Sequence, residues 1–591
     1  MRREIIELRK YVKEAGMDAY YVPYGDFHCS EYASDYFKVT EFLTGFTGES
    51  ATLVVDDKGA YLWTDGRFFI QADKQLAGSG VEIMKMGEEG VPTPEAFIAA
   101  LARDKAASEF VLGFDGRVVP SSFRGRLEKA ASEENVSIMV RSDEDLAGMV
   151  WTDRPAIKAG EIWEFPLSST GVSSEQKIAA VREAMAKEGA DHLLLTDLME
   201  TAWLFNLRGS DILYTPVFFS FTLLSQDKIC LYVMDESVKD RLGDALKGVE
   251  IKAYEQIYDD VAAITEGTVW LDSRSCNYAL TKSLGNDIKV IDKHTPVGLM
   301  KLIKNDTEKS CTQNAHIKDG VAVTKLIKWL KDNVSSSEHR LTEIAVADKL
   351  HNFRSEQAGF IEESFETISA YGPNGAIVHY APTEETNADV KPEGFLLLDS
   401  GGQYIDGTTD ITRTIAVGPL SREMVECYTY VLKGHIAMAT YEAKDAHCGT
   451  LVDAAARKPL QDQGMDFNHG LSHGVGHVLG VHEGPRVISK VKSEGELKAG
   501  MIMSDEPGVY LEDKFGVRIE NLVLWQDTGH GTLVNRPLTC VPYERDAIDK
   551  TLLTADEIRW VDDYHARVRE TIGPLLDDET HAYLIEATKP L

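Results

Sequence analysis

Residues 395–402, FLLLDSGG, and residues 407–413, GTTDITR, are the most informative part of this sequence. The apolar run predicts a buried strand, which delivers Asp399 directly before a glycine turn. Asp410 lies eleven residues further on, where the chain is expected to return as a second strand. Such an arrangement would bring the two carboxylates together. Taken alone, each aspartate is more often a turn or strand-end residue that hydrogen-bonds its own backbone.

Histidines are concentrated in one glycine-rich segment further along the chain. Residues 469–485, HGLSHGVGHVLGVHEGP, place four of the sixteen histidines within fourteen residues. The glycines would allow backbone and imidazole groups to approach a ligand closely. The alternative is a loop of surface histidines, or a structural histidine that caps a strand. The density of the cluster favours a functional site.

Two glutamates complete a set of metal-binding residue types. Glu506 occurs in MSDEPG (residues 503–508) and Glu520 in VRIEN (residues 517–521). Their alternative role is a salt bridge, for example between Glu520 and Arg518. Four carboxylates and one imidazole suit a pair of divalent cations, because bridging carboxylates neutralise two adjacent charges. The sequence therefore predicts a two-metal site.

The order Asp, Asp, His, Glu, Glu and the strings around these residues resemble the pita-bread peptidases, the group of methionyl aminopeptidase, prolidase and aminopeptidase P. Further strings look like the long, three-domain form of aminopeptidase P: DGRFFIQADKQ (65–75), WLFNLRGSD (203–211) and PNGAIVHY (373–380). The tail WVDDYHARVRE (560–570) is similar to the C-terminal extension of that form, which prolidases lack. The resemblance covers nearly the whole chain and favours aminopeptidase P.

The resemblance implies a role for each matched residue. The metal ligands would be Asp399, Asp410, His473, Glu506 and Glu520. Among these, Asp410 and Glu520 would bridge two divalent ions, for which manganese is the usual metal of the family and zinc and cobalt are the alternatives. The catalytic and substrate-contacting residues would be His379, His469 and His482, with Glu506 as the catalytic base. Arg518 would support the site through hydrogen bonds near Glu520, and Arg67 is a further substrate-binding candidate.

Two positions in the histidine-rich segment depart from the long form. Ser472 stands where glycine is more familiar, although shorter relatives carry a similar Gly-Leu-Ser-His string. His477 stands where a small or polar residue is expected, and it matches no ligand of the family. We therefore leave His477 out of the predicted site.

The implied reaction is hydrolysis of the peptide bond between an N-terminal residue and proline. A hydroxide held between the two metal ions is the expected nucleophile, Glu506 accepts its proton, and His379 or His482 stabilises the oxyanion. A prolidase, which cleaves only Xaa-Pro dipeptides, is the first alternative. The others are a non-catalytic peptide-binding or protein-binding member of the fold and a metal-free, creatinase-like hydrolase. The complete ligand set argues against both.

Composition indicates which partners and which compartment to expect. The formal net charge of −33 repels phosphate backbones and anionic membranes, so we expect neither nucleic-acid nor membrane partners. Seven cysteines lie without close Cys-X-X-Cys spacing, which suggests reduced thiols in the cytoplasm. No run approaches the ~20 apolar residues of a membrane span, and the N-terminus lacks the apolar core of a secretory signal. The resemblance also implies a homodimer.

With 591 residues the chain is too long for one hydrophobic core, and we expect three domains. A helix from Glu4 to Ala15 followed by strand-like runs has a counterpart that begins with a helix from Glu175 to Lys187, and the string Gly-Val-Glu-Ile occurs in both copies. A helical period over residues 308–350 and strand-like runs from residue 368 follow. We predict two related α/β domains, residues 1–155 and 156–303. An α+β pita-bread domain of curved antiparallel sheet flanked by helices, residues 304–591, would carry catalysis and the C-terminal extension.

Overall fold

A computed structural model describes residues 1–105, 109–335, 340–492 and 495–591 of the chain. The chain divides into two compact units. The first comprises Met1–Pro166 and Val172–Gly298, and the second comprises Leu167–Gly171 and Leu299–Leu591. All five predicted metal ligands belong to the second unit.

The N-terminal part of the first unit forms a six-stranded mixed sheet. Its strands are β1 (Ala19–Pro23), β2 (Thr52–Asp56), β3 (Ala60–Thr64), β4 (Glu82–Lys85), β5 (Phe110–Gly113) and β6 (Ile138–Arg141). The order across the sheet is β4-β3-β2-β1-β5-β6. The β1–β2 and β2–β3 pairs are antiparallel, whereas β3–β4, β1–β5 and β5–β6 are parallel.

The second part of this unit repeats the same topology. Its strands are β7 (Trp163–Glu164), β8 (His192–Leu195), β9 (Leu207–Arg208), β10 (Ser220–Ser225), β11 (Ile229–Val233), β12 (Glu250–Ala253), β13 (Thr268–Leu271) and β14 (Lys289–Asp292). Six of them form a sheet of order β12-β11-β10-β8-β13-β14, with parallel and antiparallel pairs at the same places. The two Gly-Val-Glu-Ile strings lead into β4 and β12, which occupy equivalent edges. The predicted pair of related α/β units is confirmed.

Among the described residues, thirteen α-helices precede, connect or follow these strands. They are α1 (Arg3–Glu14), α2 (Val39–Thr44), α3 (Phe69–Gln75), α4 (Pro94–Asp104), α5 (Ser122–Glu134), α6 (Leu146–Val150), α7 (Leu167–Thr170), α8 (Ser174–Glu188), α9 (Leu198–Phe205), α10 (Val238–Arg241), α11 (Gln256–Ala262), α12 (Tyr278–Ser283) and α13 (Pro296–Leu302). Of these, α7 belongs to the second unit. Helices α1 and α8 match the two predicted helices to within one residue at each end. A capping box between Ser173 and Gln176 starts α8, and Gly189 in the left-handed conformation ends it.

The second unit contains small antiparallel sheets. Their strands are β15 (Phe360–Glu363), β16 (Ile368–Tyr371), β17 (Phe395–Ser400), β18 (Gly402–Tyr404), β19 (Gly407–Thr408), β20 (Ile411–Ala416), β21 (Ile502–Asp505), β22 (Gly508–Leu511), β23 (Phe515–Arg518), β24 (Asn521–Asp527) and β25 (Leu533–Pro537). The sheet orders are β16-β17-β20, β21-β24-β25, β15-β18-β19 and β22-β23. Every residue of β17 and β20 is buried, as the apolar run predicts.

Helices flank these sheets: α14 (Asp306–Asn333), α15 (Glu343–Ser355), α16 (Arg422–Ala439), α17 (Gly449–Gln461), α18 (Ala555–Ile572) and α19 (Asp578–Ala587). The helical period predicted over residues 308–350 is divided between two helices, α14 and α15. Thr342 begins the second helix, because its side chain accepts a hydrogen bond from the Ala345 N–H and caps the helix. Within the described ranges, no helix is long and apolar enough to cross a membrane.

Candidate metal centre

Asp399 lies on the predicted strand, and Asp410 lies directly before the predicted returning strand. Asp399 is on β17 and pairs with Thr412 of β20, and Asp410 directly precedes β20. Both residues are buried, with 8% and 4% of their surface exposed. The turn between the strands requires glycine at Gly401, because a Cβ there would stand 2.0 Å from the Thr409 carbonyl oxygen.

Loops at the ends of neighbouring strands deliver the other predicted ligands. Glu506 lies between β21 and β22, and Glu520 lies between β23 and β24. His473 runs beside β21, because its N–H donates to Ser504 Oγ and its carbonyl accepts from the Ser504 N–H, both at 2.9 Å. One ligand atom from each of Asp410, His473 and Glu520 lies within 4.8 Å of the others. Glu506 Oε1 lies 3.4 Å from His473 Nε2.

In two of these carboxylates, one oxygen accepts hydrogen bonds from protein side chains and the other accepts none among the described residues. Arg518 donates to Asp399 Oδ2, and the Thr412 hydroxyl donates to Glu520 Oε2 at 2.8 Å. Among the described residues, Asp399 Oδ1 and Glu520 Oε1 are buried atoms with no hydrogen-bond partner. Buried carboxylate oxygens left in this way fit metal ligands whose other atom is fixed by an outer partner.

The negative charges of these buried carboxylates repel one another. Burial, followed by the charges of Asp399 and Glu506, raises the pKa of Asp410. Burial and the neighbouring Asp410 and Asp399 raise the pKa of Glu520, and burial and Glu520 raise that of Glu506. Bound cations would compensate this repulsion, and a set of carboxylates with one imidazole suits hard or borderline divalent ions. The residues present therefore fit a metal centre.

His473 is oriented by its own loop. Its Nδ1 lies 2.9 Å from the Gly474 carbonyl oxygen, which places the proton on Nδ1. Its Nε2 then faces the carboxylates, 3.5 Å from Asp410 Oδ2. The Glu483 N–H donates to the same Gly474 carbonyl at 2.8 Å. This hydrogen bond ties the part of the loop next to His473 to the part next to His482.

The three histidines predicted to contact substrate occupy different surroundings. The ring of His482 packs edge-on against the ring of His473, with 4.3 Å between centroids. His469 Nδ1 lies 2.8 Å from the Gly470 carbonyl oxygen and 3.8 Å from Glu506 Oε2. His379 follows a 3₁₀ turn, Gly372–Ala376, and the carbonyl of the preceding residue, Val378, accepts from Arg518 Nη2 at 3.3 Å.

Tyr510 is a site residue that the sequence analysis missed. Its hydroxyl accepts a hydrogen bond from Arg518 Nη1 at 2.7 Å and lies 2.8 Å from His469 Nε2. Since Arg518 can only donate, the tyrosine proton points to His469. A chain of hydrogen bonds therefore runs from Asp399 through Arg518 and Tyr510 to His469.

Two other residues singled out from the sequence have protein partners. His477 is buried, with Nδ1 3.2 Å from the Thr312 hydroxyl and Nε2 2.9 Å from the Ser169 carbonyl oxygen. Arg67 lies in the first unit and pairs with Asp65 through Nε and Nη2 at 2.9 and 2.8 Å. The same Asp-X-Arg pairing recurs elsewhere in that unit, at Asp115 with Arg117 and at Asp272 with Arg274. This recurrence is typical of a turn-fixing motif.

Family models match nearly the whole chain. Metallopeptidase family M24 matches residues 310–527, and the C-terminal region of peptidase M24 matches residues 533–591. Two models of the creatinase/prolidase N-terminal domain match residues 5–143 and 153–308. The fold is thus that of a metallopeptidase.

The following relatives are aminopeptidases, a narrower class than metallopeptidases. Xaa-Pro aminopeptidase 1 of Dictyostelium discoideum is 35% identical over 97% of this chain and 94% of its own length. Aminopeptidase P1 of Lotus japonicus is 34% identical over 97% of both chains. The crystal structure of X-prolyl aminopeptidase from Caenorhabditis elegans, described as a cytosolic enzyme with a di-nuclear active site, superposes with a TM-score of 0.93 at 33% identity over 100% of this chain and 99% of that one.

These matches establish the family. The chain belongs to the aminopeptidase P family of M24 metallopeptidases and is a metallo-aminopeptidase, a hydrolase. The expected architecture of two creatinase-type α/β domains followed by a pita-bread catalytic domain is confirmed.

Proposed function

We propose that this chain is an Xaa-Pro aminopeptidase that releases the N-terminal residue of peptides with proline at the second position. The observation that carries the proposal is the buried cluster of carboxylates around His473, in which Asp399 Oδ1 and Glu520 Oε1 have no hydrogen-bond partner among the described residues. The names of the relatives support the specificity for proline, and the di-nuclear site of the Caenorhabditis elegans enzyme supports two metal ions here.

Each predicted ligand has a place in this proposal. Asp399, His473 and Glu506 would hold the ions, with Asp410 and Glu520 lying between them. Bound ions would supply a lowered pKa for an attached water and polarisation of the scissile carbonyl. We propose manganese as the metal, with zinc and cobalt as alternatives.

Acid and base roles fall to the groups that line the cluster. Glu506 accepts the proton of the attacking water. The Ser504 hydroxyl orients this carboxylate by donating a hydrogen bond to its Oε1 at 3.1 Å. His379 or His482 donates a hydrogen bond to the developing oxyanion. The prolyl nitrogen carries no hydrogen and must gain one proton as it leaves, which Glu506 can return.

The remaining candidates have supporting roles in this proposal. The ring nitrogens of His469 engage Gly470 and Tyr510, which favours an orienting contact with substrate over proton transfer. Arg518 supports the site through Asp399, its ion-pair partner. We still propose Arg67 as a substrate-binding residue, although its ion pair with Asp65 already engages its guanidinium.

The experiment uses metal-stripped protein and an Xaa-Pro-Xaa tripeptide, with and without Mn²⁺, and follows the products by mass spectrometry. With Mn²⁺ we expect release of the first residue and an intact Pro-Xaa product. We expect no release by Asp410→Asn. The exposed Asp462→Asn serves as the matched control and should behave as the wild type. Cleavage of an Xaa-Pro dipeptide but not the tripeptide would make the chain a prolidase, and no cleavage of either would favour a binding protein.

Assembly and location complete the proposal. We propose a homodimer, which sedimentation of the purified protein would test, and a cytoplasmic enzyme, which the cytosolic Caenorhabditis elegans relative supports. We propose domain boundaries at residues 155 and 303, close to the gaps between the family matches. Expression of residues 304–591 alone would test whether the third domain folds independently.

A further inference from the structure

The buried carboxylate of Glu343 is a hydrogen-bonding centre for the segment that carries His379. Glu343 is the first residue of α15 and has no exposed surface. Its two oxygens accept hydrogen bonds from four groups of one segment: the N–H of Tyr371 at 2.6 Å, Nδ2 of Asn374 at 3.0 Å, the hydroxyl of Tyr380 at 2.7 Å and the N–H of Ala388 at 2.8 Å. All four donors lie within residues 371–388, on both sides of His379.

The backbone of the helix start strengthens this attachment. The Glu343 N–H donates to the Ala388 carbonyl oxygen, and the Ile344 N–H donates to Asn387 Oδ1, each at 3.1 Å. A carboxylate in the first turn of a helix is also stabilised by the helix dipole, and hydrogen bonds to an ionised acceptor are stronger than neutral ones. One side chain thus fastens both ends of the segment to α15.

A second anchor holds the other neighbour of His379. The Val378 carbonyl accepts from Arg518, which is paired with Asp399. The turn before it packs on β23 so closely that a Cβ at Gly516 would stand 1.7 Å from the Gly375 carbonyl oxygen. His379 is therefore fixed between Val378, tied to the metal centre, and Tyr380, tied to Glu343.

We propose that Glu343 is a positioning residue for His379 and sets the place of its imidazole beside the metal centre. This inference rests on the proposed function and takes His379, of the two histidines proposed there, as the donor to the developing oxyanion. None of the groups that donate to the Glu343 carboxylate among the described residues belongs to a predicted metal ligand. A carboxylate is required because an amide at this position turns an NH₂ group towards donors such as the Ala388 N–H.

The test compares Glu343→Gln with Val346→Ala, which removes buried apolar volume from the same helix without removing any hydrogen bond to residues 371–388. We expect Glu343→Gln to lower kcat/KM for the tripeptide about 10- to 100-fold while metal content stays unchanged. Val346→Ala should lower the thermal stability and leave kcat/KM close to that of the wild type. Amide exchange of Tyr371 and Ala388 should accelerate at least about tenfold in Glu343→Gln only.

A double-variant cycle with His379→Ala separates positioning from general stability. If Glu343 acts through His379, adding Glu343→Gln to His379→Ala should change kcat/KM less than about twofold. An equal loss in both backgrounds would overturn the inference, and so would unchanged amide exchange in residues 371–388. Absence of Xaa-Pro cleavage by the wild-type enzyme would instead overturn the proposed function, and amide exchange would still report on the attachment of this segment.

Discussion

Arg518 donates two hydrogen bonds to one oxygen of Asp399, from Nη2 at 2.6 Å and from Nε at 3.1 Å to Oδ2. The other oxygen, Oδ1, is buried and accepts no hydrogen bond within the described part of the chain. The arginine thus fixes the direction of the carboxylate and leaves one oxygen for a metal ion. The sequence analysis gave a salt bridge between Glu520 and Arg518 only as the alternative to a metal-ligand role for Glu520, and it placed the hydrogen bonds of Arg518 near Glu520.

Replacement of Arg518 should weaken metal binding. A lysine at this position cannot donate from two nitrogens to Asp399 while also donating to Tyr510. We expect Arg518→Lys to lower the affinity for Mn²⁺ about 10- to 100-fold, the usual effect of losing an outer partner of a metal ligand. Titration of the metal-stripped protein with Mn²⁺, followed calorimetrically, measures the change.

The control for this variant is Arg569→Lys, because Arg569 donates to the Thr588 hydroxyl and carbonyl at 2.7 and 2.6 Å, at the end of the chain. This control should bind Mn²⁺ as the wild type does. Equal Mn²⁺ affinity of wild type and Arg518→Lys would refute the assigned role of the arginine.

Removal of the Tyr510 hydroxyl should affect turnover rather than metal binding. Tyr510→Phe keeps the ring but breaks the hydrogen-bond chain between Arg518 and His469. We expect kcat to fall about tenfold or more, with Mn²⁺ affinity within about twofold of the wild type. Steady-state kinetics on the tripeptide and the same titration measure both quantities. A variant that lost metal in proportion to activity would show that the tyrosine serves the ligands instead.

Local patterns in the sequence were sufficient to predict part of this site. The apolar run before Asp399 and the glycine turn after it predicted the strand and its return, which the β17–β20 ladder confirms. The clustering of histidines pointed to the loop that places His473 beside Asp410 and Glu520. These signals are local, because periodicity and turn residues act within a few positions of the chain.

Contacts that depend on packing could not be predicted in the same way. Tyr510 meets Arg518 only because the β22–β23 hairpin pairs Gly508 with Arg518, and a Cβ at Gly508 would stand 2.6 Å from the tyrosine hydroxyl. The glycine two residues before Tyr510 was the available signal. Glu343 lies 36 positions before His379, too far for any local pattern to connect the two.

Acid should destabilise the protein partly through His565. This buried ring accepts a hydrogen bond at Nε2 from the Tyr543 N–H at 3.0 Å, so it is neutral in the folded state. Burial, together with the charges of Arg413, Arg545 and Arg569, lowers the pKa of His565 to about 3. The unfolded chain takes up the proton near the ordinary histidine pKa of about 6.5. Stability is therefore lost as pH falls from about 6.5 towards the folded value.

We expect this group alone to contribute about 2 kcal/mol of the stability lost between pH 6.5 and pH 5. His565→Gln keeps an acceptor for the Tyr543 N–H but cannot be protonated in this range. Urea unfolding of wild type and variant at both pH values, with chelator present throughout so that metal release does not contribute, measures the difference. The variant should lose about 2 kcal/mol less than the wild type on acidification. Parallel pH dependence of the two proteins would mean that His565 is protonated in the folded state as readily as in the unfolded chain.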